Sequence, residues 1–204
     1  VRSAPTVWNN GNQARVYVGL GGPANAVIAL SCDDTSASQD WSYDAQGPVV
    51  GSPVLTSDSF PHDIVFGSLA GKVFCCNYTG DDVFAEPFVT FGEVRGTPAI
   101  GPDGTIYAGD TEGDLVALTA AGVERWTFNG GGPIYGGIAL DSSYRAYFGS
   151  GNMLYAVRDF TTEGVAQLAI DVGSGVNATP ALEEFNGVGR VYFPGGNLHA
   201  AIQN

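Results

Sequence analysis

Four glycines recur along the chain at nearly even intervals, and each closes the same kind of segment. They are Gly19, Gly67, Gly109 and Gly149, with Pro194 in the equivalent slot last, at spacings of 48, 42, 40 and 45 residues. The segments they close are Val16-Tyr17-Val18, Ile64-Val65-Phe66, Ile106-Tyr107-Ala108, Ala146-Tyr147-Phe148 and Val191-Tyr192-Phe193. Each follows a shorter run, four of them led by proline: Pro5-Thr6-Val7, Pro53-Val54-Leu55, Pro98-Ala99-Ile100, Ile138-Ala139-Leu140 and Pro180-Ala181-Leu182. Each precedes a third run: Val27-Ile28-Ala29-Leu30, Val73-Phe74-Cys75-Cys76, Leu115-Val116-Ala117-Leu118, Leu154-Tyr155-Ala156-Val157 and Leu198-His199-Ala200-Ala201. A repeat of this length is one supersecondary unit that cannot bury its apolar faces alone and must stack on copies of itself.

The runs are short, rich in Val, Ile, Tyr and Phe, and bounded by turn residues, which predicts strands. Asn10-Gly11, Pro102-Asp103-Gly104 and Asn186-Gly187 fall between first and second runs, where tight hairpins belong. No stretch keeps a 3.6-residue period with caps, so almost no helix is expected. Runs such as Ile64-Val65-Phe66 are apolar on both parities, as in a sheet covered on both faces. A fourth run closes most repeats: Asp40-Trp41-Ser42-Tyr43, Arg125-Trp126-Thr127-Phe128, Gln167-Leu168-Ala169-Ile170, and a weaker piece near Val83-Phe84 or Phe88-Val89. The expectation is an all-β β-propeller of five antiparallel blades, four-stranded except the last, which lacks its outer strand. The repeats are set at about 1–46, 47–91, 92–130, 131–172 and 173–204, forming a single domain.

Charge removes whole classes of function. The 204-residue chain carries 8 Lys+Arg against 21 Asp+Glu, a net charge of −13, and Lys72 is its one lysine. Nucleic-acid binding by phosphate neutralisation and docking on anionic lipid both need a basic face. No run of 18 apolar residues exists to span a membrane. The chain begins at Val1 without Met or a charged-then-apolar leader, so either a signal peptide has been removed or this is a piece of something longer.

The third repeat has a distinctive wording: Gly96-Thr97-Pro98-Ala99-Ile100, Asp103-Gly104-Thr105-Ile106-Tyr107-Ala108-Gly109, Gly113-Asp114-Leu115-Val116-Ala117-Leu118, Gly122 and Trp126. This resembles the PQQ-like, or quinoprotein-type, propeller repeat. The resemblance implies a tryptophan packed between neighbouring blades, with Ala117, Gly122 and Trp126 on the docking positions and Ala29 with Trp41 as a looser match. It implies a fold and not an activity. The family's members include periplasmic dehydrogenases that use PQQ and calcium, outer-membrane assembly scaffolds and surface proteins without a cofactor. The cofactor and calcium ligands of those enzymes find no counterpart in this sequence. In some of them a vicinal disulfide lies against the cofactor, and Cys75-Cys76 is a vicinal pair.

Outside the resemblance, Cys75 and Cys76 read as two small hydrophobes in a core. Strand parity also allows a Cys32–Cys75 bridge, if Cys32 points toward blade two and Cys75 back toward blade one. His62 and His199 stand apart, without a ligand cluster. Asp110-Thr111-Glu112-Gly113-Asp114 could offer oxygens to calcium, but it coincides with a hairpin, where a solvated turn is expected. Gly19-Leu20-Gly21-Gly22 and Gly130-Gly131-Gly132 precede no helix and read as turns rather than phosphate cradles. The sequence therefore points to a non-catalytic extracellular or periplasmic module that binds a protein partner or self-associates through an exposed blade edge. The competing readings are a PQQ-dependent dehydrogenase or other propeller enzyme fragment, and a lectin-like ligand binder.

Overall fold

The computed structural model describes residues 3–11, 13–33, 35–185, 188–193 and 200–203. Among the described residues nineteen strands form five antiparallel sheets in chain order. Sheet one holds β1 (Thr6–Asn9), β2 (Ala14–Gly19), β3 (Ala26–Cys32) and β4 (Ala37–Asp44). Sheet two holds β5 (Val54–Leu55), β6 (Asp63–Ser68), β7 (Lys72–Asn77) and β8 (Phe88–Val89). Sheet three holds β9 (Ala99–Ile100), β10 (Ile106–Gly109), β11 (Asp114–Leu118) and β12 (Glu124–Asn129). Sheet four holds β13 (Ala139–Leu140), β14 (Arg145–Ser150), β15 (Met153–Asp159) and β16 (Gly164–Asp171). Sheet five holds β17 (Ala181–Phe185), β18 (Val188–Tyr192) and β19 (Ala200–Gln203). Each strand pairs with the next in the chain, so every sheet is a meander. The only helical element among the described residues is a 3-10 turn at Gly22–Ala24, and no helix is long and apolar enough to cross a membrane. The Asn10-Gly11 and Pro102-Asp103-Gly104 turns lie between first and second strands; Asn186-Gly187 lies outside the described residues.

Because successive strand residues point to opposite faces, each sheet carries two apolar faces. Tyr17, Val27 and Ala29 of sheet one pack on Ile64, Phe66, Phe74 and Cys76 of sheet two. Val65, Val73 and Cys75, on the other face of sheet two, pack on Ile106, Ala108, Val116 and Leu118 of sheet three. Tyr107, Leu115 and Ala117 meet Ala146, Phe148 and Val157 of sheet four. Tyr147, Leu154 and Ala156 meet Val191 and Phe193 of sheet five. Among the described residues no such cluster joins sheet five to sheet one. The stack of two-sided sheets is the β-propeller arrangement.

The periodic glycines have a packing cause. A Cβ on Gly19, Gly67, Gly109 or Gly149 would run into Val49, Val94, Ile134 or Val176 respectively. Each of these four side chains is fully or almost fully buried, and each comes from the segment that leads into the following sheet. Glycine at the end of every second strand makes room for the aliphatic plug that seals that sheet to the next. Nearer the axis, Gly51, Gly96 and Gly136 approach the backbone of the next sheet so closely that a Cβ would overlap Gly96, Gly136 and Ala178. Hydroxyls stitch the same region: Thr97 Oγ1 accepts from the Ser52 amide at 3.1 Å and Thr179 Oγ1 from the Gly137 amide at 2.9 Å.

Candidate functional site

The tryptophan positions form inter-blade joints. Trp126, 5% exposed, is paired across the sheet with Ala117 and packs on Gly164 at the start of β16. Its Nε1–H donates to Asp159 Oδ1 at 2.9 Å. The Tyr107 hydroxyl donates to Asp159 Oδ2 at 2.8 Å, the Thr161 amide to Oδ1 at 2.6 Å, and Arg125 Nη1 lies 3.4 Å from the carboxylate. Burial, then the bond to Asp159, pushes the Tyr107 hydroxyl well above its usual range, so it stays a donor. Trp41, paired with Ala29, repeats the device two joints earlier: it packs on Gly80 and donates to the Tyr78 carbonyl at 2.9 Å.

Gly122 does not sit under Trp126. Its φ of +78° suits glycine, and a Cβ there would stand 2.6 Å from the ring of Phe84, in sheet two's outer segment. The series is thus Trp41 on Gly80, Phe84 on Gly122 and Trp126 on Gly164, each ring reaching the next blade. Glycine spacings of 42 and 42 residues carry this signal in the sequence. The fourth strand of sheet two is Phe88–Val89, while Phe84 supplies the docking ring.

The Cys32–Cys75 bridge is not formed; all three cysteines are free. The reason is direction. Cys75 faces sheet three and Cys76 faces sheet one, the reverse of the assumed parity. Cys32 shares parity with Ile28 and Leu30, on the face of sheet one turned away from sheet two. Burial pushes the Cys75 thiol up to about 12 and Cys76 higher still.

Asp110 is fully buried rather than solvated. Its Oδ1 accepts the Glu112 and Asp114 amides and its Oδ2 the Gly92 amide, all at 3.0 Å, so the carboxylate holds its own hairpin and the preceding connection. Among the described residues no group of three His, Cys, Asp or Glu side chains could hold a metal. His62 is 2% exposed, with Nε2 hydrogen-bonded to the Tyr17 hydroxyl at 2.7 Å. Burial holds its pKa below the usual imidazole value, helped by Arg15 and opposed by the Ser59 backbone and Asp63. His199 lies outside the described residues.

Two further surface features stand out. The first is the face of sheet one turned away from sheet two. Val7 is 53% exposed and Val16, Ile28 and Leu30 are half-buried. Their register counterparts in sheet two are Leu55, Ile64, Phe74 and Cys76, of which the last three are buried. The second is a cleft of 290 Å³ lined by Trp8, Asn10, Gln13, Arg15, Ser31 and Phe60. Sequence reasoning places Val7, Val16, Ile28 and Leu30 in strands and Asn10 in a hairpin turn, and assigns no site to any residue of either feature.

Neither a protein-family model nor a curated protein sequence matches the chain. Solved structures do. BamB from Moraxella catarrhalis matches with a TM-score of 0.66 and 17% identity over 93% of this chain and 57% of that one. The quinohemoprotein alcohol dehydrogenase from Comamonas testosteroni matches with a TM-score of 0.69 and 15% identity over 92% and 43%. The computationally designed Ika4 protein matches with a TM-score of 0.54 and 14% identity over 69% and 84%. The fold is a β-propeller. The chain spans about half the length of the first two.

The inner strands here enter through Ser52, Thr97, Gly137 and Thr179, all neutral, with Thr97 and Thr179 accepting from amides of the preceding blade. The vicinal cysteines point into two different inter-blade cores.

Proposed function

We propose that the chain is a non-catalytic propeller module that works outside the cytoplasm, in the periplasm or extracellular space, and binds protein through the free face of sheet one. The observation that carries this reading is the set Val7, Val16, Ile28 and Leu30. These are apolar side chains left in contact with water, and three of them, Val16, Ile28 and Leu30, stand at positions that sheet two buries. Apolar surface of this kind gains by roughly 25 cal/mol for each Å² removed from water. The partner that fits is another sheet with an apolar face, stacked at about 10 Å as the blades stack on each other. A second copy of the chain supplies such a face. The acidic, lysine-poor composition suits a soluble surface that rejects nucleic acid and anionic lipid.

Light scattering across a concentration series tests this. The chain is expected to associate reversibly, and Leu30→Asp to hold it monomeric with its circular dichroism unchanged. A wild-type chain that stays monomeric throughout the series would overturn the reading.

A further inference from the structure

The cleft between the first two blades is built from rings. Trp8, at the end of β1, packs against Phe60 with centroids 5.3 Å apart and against His62 at 5.6 Å. Phe60 meets Tyr78 at 4.5 Å. Trp8 is fixed by its Nε1–H, which donates to the Asp58 carbonyl at 3.0 Å. His62 beneath it is locked by Tyr17. Yet Phe60 remains 48% exposed, so a rigid aromatic wall opens to solvent beside the polar side chains of Asn10, Gln13, Arg15 and Ser31.

The charges in the cleft are already matched. Arg15 Nη1 donates to the Tyr78 carbonyl at 2.7 Å, its guanidinium stands 5.7 Å over the Tyr78 ring, and Nη2 lies 3.6 Å from Asp40. Ser31 Oγ donates to the same Asp40 carboxylate at 2.6 Å. An anionic ligand would face Asp40 and a chain of net charge −13, and a cationic one would face Arg15. The backbone at the rim is committed too. The Asn10 amide donates to the Gln13 carbonyl, Gly11 to Asn9 Oδ1 and Gln13 to Asn10 Oδ1. Those turn amides are therefore already bonded. The occupant that suits an apolar wall, amide side chains and balanced charge is neutral, with a flat C–H face and many hydroxyls.

We propose that this cleft binds a sugar ring of a neutral glycan, stacked on Trp8 and Phe60 with its hydroxyls toward Asn10 and Gln13. The volume of 290 Å³ is at the lower end of ligand sites, which suits one or two sugar units. This site is separate from the free face of sheet one and does not depend on it.

The test is calorimetry and tryptophan fluorescence of the full chain with soluble malto-, cello-, xylo- and chito-tetraose. At least one is expected to bind at millimolar concentration or tighter with a change in tryptophan emission. Phe60→Ala is expected to weaken it at least tenfold, and Trp8→Ala to abolish both signals. Phe60→Ala removes a ring that is already half in water, so it keeps the fold even where Trp8→Ala does not; Phe91→Ser, at a distant exposed residue, is expected to change nothing. Absence of binding by all four sugars would overturn the proposal. So would binding that survives Phe60→Ala, or capture of a proline-rich peptide in preference to every sugar.

Discussion

Gly109 and Ile134 offer the sharpest test of how the blades are sealed. A methyl at position 109 would overlap Ile134 Cγ2 outright and lie 2.9 Å from its Cβ and 3.2 Å from its Cδ1. Nothing around it is slack, since Ile134 is fully buried between sheets three and four. Gly109→Ala alone therefore overpacks the joint, at a cost of about 1–3 kcal/mol. Ile134→Ala alone leaves a cavity, at about 2–5 kcal/mol. In the double variant the new methyl enters the space that Cγ2 and Cδ1 have left, and the closest remaining approach is the 2.9 Å to Cβ. That residual overlap still requires a shift, but a smaller one than the overlap with Cγ2 demands. The double variant is thus expected to be at least ~1 kcal/mol more stable than the sum of the single costs implies, in line with couplings between touching residues. Urea unfolding followed by circular dichroism, with midpoints and slopes compared across the four proteins, gives the coupling. Costs that add to within about 0.5 kcal/mol would refute the plug-and-slot account.

Other expectations follow from the joints and the buried groups. Trp126→Ala should cost about 3–5 kcal/mol in the same assay, and Trp41→Ala less, because Trp41 is only half-buried. Cys75 and Cys76 should resist a thiol reagent at neutral pH until the chain unfolds, because burial raises both thiols, one of them to about 12, whereas Cys32 is only half-buried. His62 has a folded pKa below its ordinary 6.5, so the unfolded chain takes up the proton first. Its contribution is present above pH 6.5 and is lost as pH falls through the folded value. His62→Gln should flatten that slope in stability against pH; an unchanged slope would assign it elsewhere.

Much of the fold was legible because both faces of each strand are apolar, and the spacing of the slot glycines marked the sheets. The direction of the faces was not. In sheets one, three and four the third strand meets its fourth through a register shift, at Ala29/Leu30, Ala117/Leu118 and Ala156/Val157. Residue types on either side look alike, so nothing local said that Cys75 faces forward and Cys76 back. The sequence reads Phe84 as strand and not as a docking ring; in the structure an isolated bridge, Cys76 to Asp82, lies beside it, and the regular fourth strand begins only at Phe88. Its distances of 43 residues from Trp41 and 42 from Trp126 were the available clue. The cleft was hidden for a different reason. Trp8, Phe60 and Tyr78 lie 18 or more residues apart and converge only through stacking of two blades. The unusually long Gly19–Gly67 interval holds the loop at 56–62 that carries Phe60 and His62.

Hydroxyl-radical footprinting read residue by residue probes the stack most directly. In dilute solution Val7, Ile28 and Leu30 should be oxidised, while Phe66, Phe74, Phe148 and Leu154 stay protected, and the first three should become protected as concentration rises. Leu30 shielded at every concentration, or Phe74 and Phe148 oxidised as readily as Leu30, would contradict sheets sealed face to face with one face left over.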